Sequence, residues 1–273
     1  MTYAVSKTIE IEKIPVIDVK PLRAGTLENA HSVALEIRQA AEEIGFFYIR
    51  NHGVPESVIK KSYSAAKDFF NLPKVVKNNV KINSNHHGYL CFGEAKMEQA
   101  ESVDLKESFV WGLDLPDEHP SVTMENPFLG RNQWPVEIPE FKQSVYPFFE
   151  AGLQCGFDMM RAFALGMGLP EDSFLKATDE PIARSSIIHY PPQSEVLGEE
   201  QFGVAPHTDY GCLTLLWQDQ VGGLEVQNRE GEWVTAHPIE NTIVVNVGDL
   251  LMRWTNEGFK STPHRVVNRK GQE

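Results

Sequence analysis

The segment Ala205-Pro206-His207-Thr208-Asp209-Tyr210-Gly211 sets an imidazole and a carboxylate two residues apart. In extended backbone such residues share a face, so His207 and Asp209 can reach one point while Thr208 turns away. A neutral imidazole with a carboxylate is a suitable donor pair for Fe(II), because the carboxylate offsets one of its two positive charges. A third donor must come from another strand. His264, within Ser261-Thr262-Pro263-His264-Arg265-Val266, opens a predicted strand and can supply it. Two histidines and one carboxylate on one side of the ion leave three adjacent coordination positions open, which suits oxygen chemistry at Fe(II). Zinc accepts the same donors, usually in a four-coordinate site with one open position for hydrolysis. Spacing alone leaves the two metals open, and a plain structural His–Asp hydrogen bond beside them.

The other polar landmarks read as ordinary structure. His31 falls on the outer side of a charged helix, His52 in a turn before Gly53, and His119 in the Pro116–Pro120 loop. His86 and His87 are adjacent, and adjacent residues of an extended chain point to opposite faces, so a solvated loop is expected there. Asp249 follows Gly248 and is read as a turn or capping residue, not a ligand. Gly222-Gly223 makes a tight turn, since no strand–helix phosphate fingerprint surrounds it. Trp217, Trp233 and Trp254 read as packing aromatics. Trp111 follows Lys106-Glu107-Ser108-Phe109 and is a candidate substrate contact at a pocket entrance.

The elements that must position these groups differ between the two halves of the chain. Ile14–Val19 predicts a short strand, Asn29–Glu43 an amphipathic helix ended by Gly45, and Gly45–Ile49 a second strand. Pro55 opens a helix to about Phe70, Val80–Asn132 reads as loop-rich, and Glu140–Met167 predicts a long helix bent at Pro147. After Pro181 short β-rich segments recur: Ser185–Tyr190, Gly203–Thr208, Cys212–Gln218, Leu224–Gln227, Glu232–Ala236, Thr242–Val247 and Pro263–Asn268. Short strands separated by Gly, Pro, Asn and Asp predict a sandwich or jelly roll. The expectation is one catalytic domain over 1–273, with a mixed, helix-rich portion at 1–180 and a β core at 181–273.

Composition narrows the partners. The 273 residues carry 38 acidic against 25 basic side chains, a formal net charge of −13. An anionic surface repels phosphate backbones and acidic lipid, so nucleic acid and membrane are not expected partners, whereas a small molecule is. No apolar stretch is long enough to span a bilayer, and residues 1–15 show no signal-peptide pattern. Cys91, Cys155 and Cys212 are dispersed with no CxxC, which reads as reduced thiols of a cytoplasmic protein, expected as a monomer.

The residues also carry a family likeness. His207-Thr208-Asp209-Tyr210-Gly211 and Ser261–Val266 resemble the HxD and distal-His motifs of the isopenicillin N synthase-like family of Fe(II)/2-oxoglutarate-dependent dioxygenases. The segments Ile14–Asp18, Gly45–Val54, Tyr190-Pro191-Pro192, Gly222–Val226 and Val244–Asp249 resemble that family in the same order. The resemblance implies a double-stranded β-helix, a distorted jelly roll with an N-terminal α/β region and flanking helices. It implies iron on His207, Asp209 and His264, with 2-oxoglutarate and dioxygen as cosubstrates and Tyr190 beside the 2-oxoglutarate. The implied reaction couples oxidative decarboxylation of 2-oxoglutarate to hydroxylation or desaturation of a small molecule.

One departure stands out. Members that use 2-oxoglutarate grip its C5 carboxylate with an Arg-x-Ser motif soon after the distal histidine, where a guanidinium fork matches a carboxylate. Arg265 adjoins His264 and points to the opposite face, and Arg269 is followed by Lys270-Gly271. That motif and the last barrel strand are expected beyond Glu273. A 2-oxoglutarate-independent oxidase of the isopenicillin N synthase type, and a catalytically silent metal-binding jelly roll, are the alternative functions.

Overall fold

The computed structural model describes residues 14–96, 103–123, 126, 128–178, 180–192 and 201–267. The chain runs through β1 (Val16–Asp18), α1 (Pro21–Ala24), α2 (Leu27–Glu43), β2 (Phe46–Arg50), α3 (Glu56–Phe70) and α4 (Lys74–Lys77). Next come β3 (Gly88–Leu90), β4 (Glu107–Gly112), α5 (Pro120–Thr123) and α6 (Phe141–Gly166). The strands β5 (Arg184–His189), β6 (Val204–His207), β7 (Leu213–Leu216), β8 (Leu224–Gln227), β9 (Trp233–Thr235) and β10 (Thr242–Val247) follow. The helix α7 (Asp249–Trp254) and β11 (His264–Val266) complete the set.

The strand β10 is buried along its whole length, as the near-continuous apolar run Thr242-Ile243-Val244-Val245-Asn246-Val247 requires. It lies antiparallel between β2 and β7, and β1 pairs parallel with β2, giving the order β1-β2-β10-β7. Alternation then sorts the side chains. Phe47, Ile49, Ile243, Val245 and Val247 pack outward on α2 and α6. Phe46, Tyr48 and Val244 pack inward on Leu224 and Val226 of a second sheet, ordered β6-β11-β8-β9. Two sheets face to face with helices on the outer side form the jelly roll.

A third sheet, β3-β4-β5, is also backed by α6. Phe141, Val145 and Phe149 of that helix pack with Phe109 and Trp111 of β4, whereas Met159 and Phe163 pack with Ile243 and Val245. Pro147 lies inside the helix, within the first of those two sets, between Val145 and Phe149. It removes one helical hydrogen bond at a cost of about 3 kcal/mol in a free helix. The carbonyl it frees, that of Gln143, is approached by Lys61 Nζ of α3 at 3.5 Å.

The predicted strands and the three long helices appear within a few residues of their expected bounds. Three features differ. The stretch read as loop-rich, Val80–Asn132, contains β3 and β4. Asp249 begins the short helix α7. Strands from both sides of residue 180 share sheets: β2 pairs with β10, and β4 pairs with β5 along its full length. The β core therefore draws on both halves of the chain. Residues 1–13 and 268–273, which include Arg269, lie outside the described residues.

Candidate metal centre

His207 is the last residue of β6 and His264 the first of β11, and the two are register partners across an antiparallel pair. Partners in register project to the same face, which brings the rings to 4.3 Å between centroids. Asp209 sits just past the end of β6, in the loop to β7. His207 Nε2 is 3.6 Å and His264 Nε2 3.7 Å from Asp209 Oδ1. The three donor atoms lie within 4.8 Å of one another, close enough to share one ion.

Each ligand candidate has its other polar atom occupied. His207 Nδ1 is 2.9 Å from the carbonyl of Ala205, and His264 Nδ1 is 3.1 Å from that of Thr262. A carbonyl only accepts, so each Nδ1 carries the hydrogen and each Nε2 presents a lone pair. Asp209 Oδ2 accepts from Thr214 Oγ1 at 2.5 Å and Asn246 Nδ2 at 2.9 Å, which leaves Oδ1 to face the imidazoles. Such partners fix the orientation and tautomer of metal ligands.

The electrostatics agree. Burial would raise the Asp209 carboxyl, but His264, the hydrogen bonds from Asn246 and Thr214, and His207 together hold it below its ordinary value. Burial, then the neighbouring His207, pushes His264 down, against the opposing pull of Asp209 and Thr262. A carboxylate and an imidazole held neutral are the protonation states a divalent cation needs. The donor set fits iron: two nitrogens and one oxygen on one side, no thiolate, and no fourth His, Cys, Asp or Glu in the group among the described residues.

Local structure fixes this arrangement from three directions. Gly45, at φ +74°, ends α2, and the segment before His264 presses onto it. A Cβ at Gly45 would stand 2.0 Å from the Lys260 carbonyl oxygen. Lys260 N donates to Ala41 O and Thr262 Oγ1 to Ile44 O, so the C-terminus of α2 sets the height of His264. Asp249 spans the two ligand segments: Oδ2 accepts from Thr208 Oγ1 at 3.2 Å and Oδ1 from Ser261 Oγ at 2.5 Å. Asp104, whose side chain is fully buried, accepts from Ala205 N at 3.0 Å and so holds β6 two residues before His207.

Of the other expected site residues, Tyr190 lies just past β5. Burial and then the nearby Asp104 carboxylate push its hydroxyl well above the ordinary tyrosine value, so it remains a donor. Trp111 is corrected. It has no exposed surface and lies on the α6 side of β4, against Phe109 and Trp134, not at a pocket entrance. Its bulk belongs to the core behind the sheet. The His86-His87 loop is also only half solvated, because His87 is fully buried. Arg265 points away from His264 as expected and pairs with Glu225 at 2.7 Å, over the Trp233 ring.

Sequence reasoning missed Thr214, Asn246, Asp104 and the bridging role of Asp249. One signal was available for Asn246: a lone amide on the inward register of a buried apolar strand needs a polar partner. The other three depend on contacts between segments distant in the chain.

Comparison with known proteins decides the family. A family model described as non-haem dioxygenase in morphine synthesis, N-terminal, matches residues 14–137, and that of the 2OG-Fe(II) oxygenase superfamily matches residues 182–273. The 2-oxoglutarate-Fe(II) type oxidoreductase ppzC of Metarhizium rileyi is 36% identical over 280 residues, covering 96% of this chain and 75% of its own. The chain belongs to the 2OG-Fe(II) oxygenase superfamily. This oxygenase is also similar to solved structures of a full-length Neurospora crassa protein. Its complex with alpha-KG gives a TM-score of 0.84 at 33% identity, covering 97% of this chain and 82% of that one. Its complex with alpha-KG and thymine gives 0.84 at 32%, covering 97% and 83%. The enzyme is thus an Fe(II)/2-oxoglutarate-dependent oxidoreductase with a jelly-roll fold. Among the described residues no helix is long and apolar enough to cross a membrane.

Proposed function

We propose that His207, Asp209 and His264 hold the iron of this oxygenase, that Tyr190 donates to the 2-oxoglutarate, and that the substrate is a small molecule. The observation that carries the reading is the distribution of occupied atoms. Both Nδ1 atoms and one carboxylate oxygen are spent on the protein, and the three remaining donors converge. Bound there, Fe(II) supplies the redox chemistry that couples dioxygen and decarboxylation of 2-oxoglutarate to hydroxylation or desaturation of a C–H bond. The protein's own work is to orient the three donors, hold the His264 imidazole neutral, keep the Tyr190 proton in place and shield the site. A small-molecule substrate is supported by the thymine complex of the Neurospora crassa protein and by the anionic composition of this chain. The same composition and the dispersed thiols support a cytoplasmic protein that binds neither nucleic acid nor membrane; the proposed state is a monomer, and light scattering gives the mass directly.

Anaerobic addition of Fe(II) and 2-oxoglutarate is expected to give a weak visible charge-transfer band, absent in His207→Ala. On admission of oxygen the protein releases succinate. A preparation that shows neither band nor succinate under any condition would overturn the assignment.

A further inference from the structure

The helix α6 fixes which way the third sheet looks. Its first half covers one face of β4 and β5 through Phe109, Trp111 and Ile187, and its second half covers the outer face of β10 and β7. Both sheets therefore turn their other face to the same side. On β10 and β7 that face carries Asn246 and Thr214, which hold Asp209. On β5 alternation assigns it to Arg184, Ser186 and Ile188, and then to Tyr190 past the strand end. All three strand residues are exposed, unlike Ser185, Ile187 and His189 between them.

Arg184 is the unusual member of this row. Among the described residues it has no carboxylate within ion-pair distance, and its one hydrogen bond is to the His86 carbonyl at 3.3 Å. The surrounding protein desolvates the guanidinium enough to lower its pKa. Directly opposite on β4 stands Gly112, clasped at both N and O by Asn132. A Cβ there would meet His87 Nε2 at 3.0 Å, so the glycine makes room for a ring beside Arg184. Burial, and then Arg184 itself, lower His87 and outlast the opposing Arg131 carbonyl and Asp114, so the ring offers no negative charge. Asp114 is itself paired with Lys142. Among the described residues, Arg184 therefore stands on that face of β5 with most of its five N–H groups unspent.

We propose that Arg184 is the substrate anchor of this oxygenase, binding a planar hydrogen-bond-accepting edge while Ile188 packs against the apolar body behind it. The fork of a guanidinium matches a carboxylate or a paired-carbonyl edge. Arg184 stands six residues from Tyr190, about 20 Å at ~3.3 Å per residue, so the anchor is remote from the cosubstrate end. The assignment rests on the metal-site reading above and names the substrate class for it.

Two probes separate the sources of the edge: thymine carries paired carbonyls and indole-3-acetate a carboxylate. Each is titrated calorimetrically into the anaerobic Fe(II)–2-oxoglutarate protein, with toluene and methyl indole-3-acetate as controls lacking the edge or its charge. The wild type is expected to bind at least one probe over its control. Arg184→Met should weaken that binding about 10- to 100-fold, as loss of charged hydrogen bonds predicts, and Arg184→Lys less so. Thermal melting and the charge-transfer band should be unchanged in both variants. Binding of neither probe, controls that bind as tightly, or an Arg184→Met protein that binds equally well overturns the proposal. Absence of the band in the wild type would instead count against the metal site, so the two failures are distinguishable.

Discussion

Two carboxylates of this fold, one buried and one half-buried, are treated in opposite ways. Glu107, on β4, has both oxygens engaged: Lys77 Nζ at 2.7 Å and the Tyr89 hydroxyl on Oε2, and His189 Nδ1 at 2.8 Å on Oε1. Asp209 has one oxygen satisfied by neutral donors and the other turned toward two imidazole lone pairs. The Glu107 cluster is electrically closed, with its counter-charge built in. The Asp209 cluster is open, with three donor atoms placed where a cation would complete it. A buried carboxylate whose needs are met holds a fold together, and one left short of positive charge marks a site that takes a ligand.

The largest effect is expected where the open cluster is broken. His264→Ala or Asp209→Ala should abolish the Fe(II)–2-oxoglutarate band and succinate release, while urea unfolding of the metal-free protein shifts little. The closed cluster should respond the other way. Glu107→Ala strands Lys77, and breaking a buried pair costs about 3–5 kcal/mol, read from the urea midpoint. Iron binding by whatever fraction stays folded should persist. If Glu107→Ala leaves stability untouched, the distinction between the two clusters fails.

Acid sharpens the same contrast. Burial alone would raise Glu107, but His189, Lys77 and Tyr89 more than reverse this and bring it down to about 2 from 4.5. A group depressed on folding contributes stability that is full above its unfolded value and lost as pH falls through the folded one. The wild type should thus lose about 3 kcal/mol relative to Glu107→Gln between about pH 4.5 and pH 2. Parallel unfolding curves for the two proteins across that window would refute the linkage. A smaller change is expected at the groups that orient Asp209. Thr214→Val and Asn246→Ala should each weaken iron about 10- to 100-fold in an anaerobic competition titration with a chelator. The smallest belongs to Trp111→Phe, which touches only the α6 side of the sheet and should leave substrate KM within about twofold.

The contrast also explains what could be read in the chain. The two histidines and Asp209 are legible because an i, i+2 pair and a strand-opening histidine declare themselves locally, and the near-continuous apolar run of β10 marks a strand covered on both faces. The strand β4 was not legible. Its run Glu107-Ser108-Phe109-Val110-Trp111-Gly112 is buried at every position, so its polar residues looked like loop. Glu107 meets Lys77 and His189 only through the fold, and no local pattern announces a pairing across such distances. Helix α7 escaped because Gly248-Asp249 is equally good turn chemistry, and the bond from Asp249 N to Asp209 O that settles it is tertiary.

The paired donors on Asp209 Oδ2 also govern denticity. With that oxygen tethered by Thr214 and Asn246, the carboxylate can offer a cation one oxygen only. Released, it could swing to chelate through both and occupy a position that a bidentate 2-oxo acid needs. In a Thr214→Val, Asn246→Ala double variant at saturating iron, 2-oxoglutarate affinity should therefore fall while the bound iron count stays at one. Two hydrogen bonds that never touch the substrate would then set how many vacancies the centre keeps.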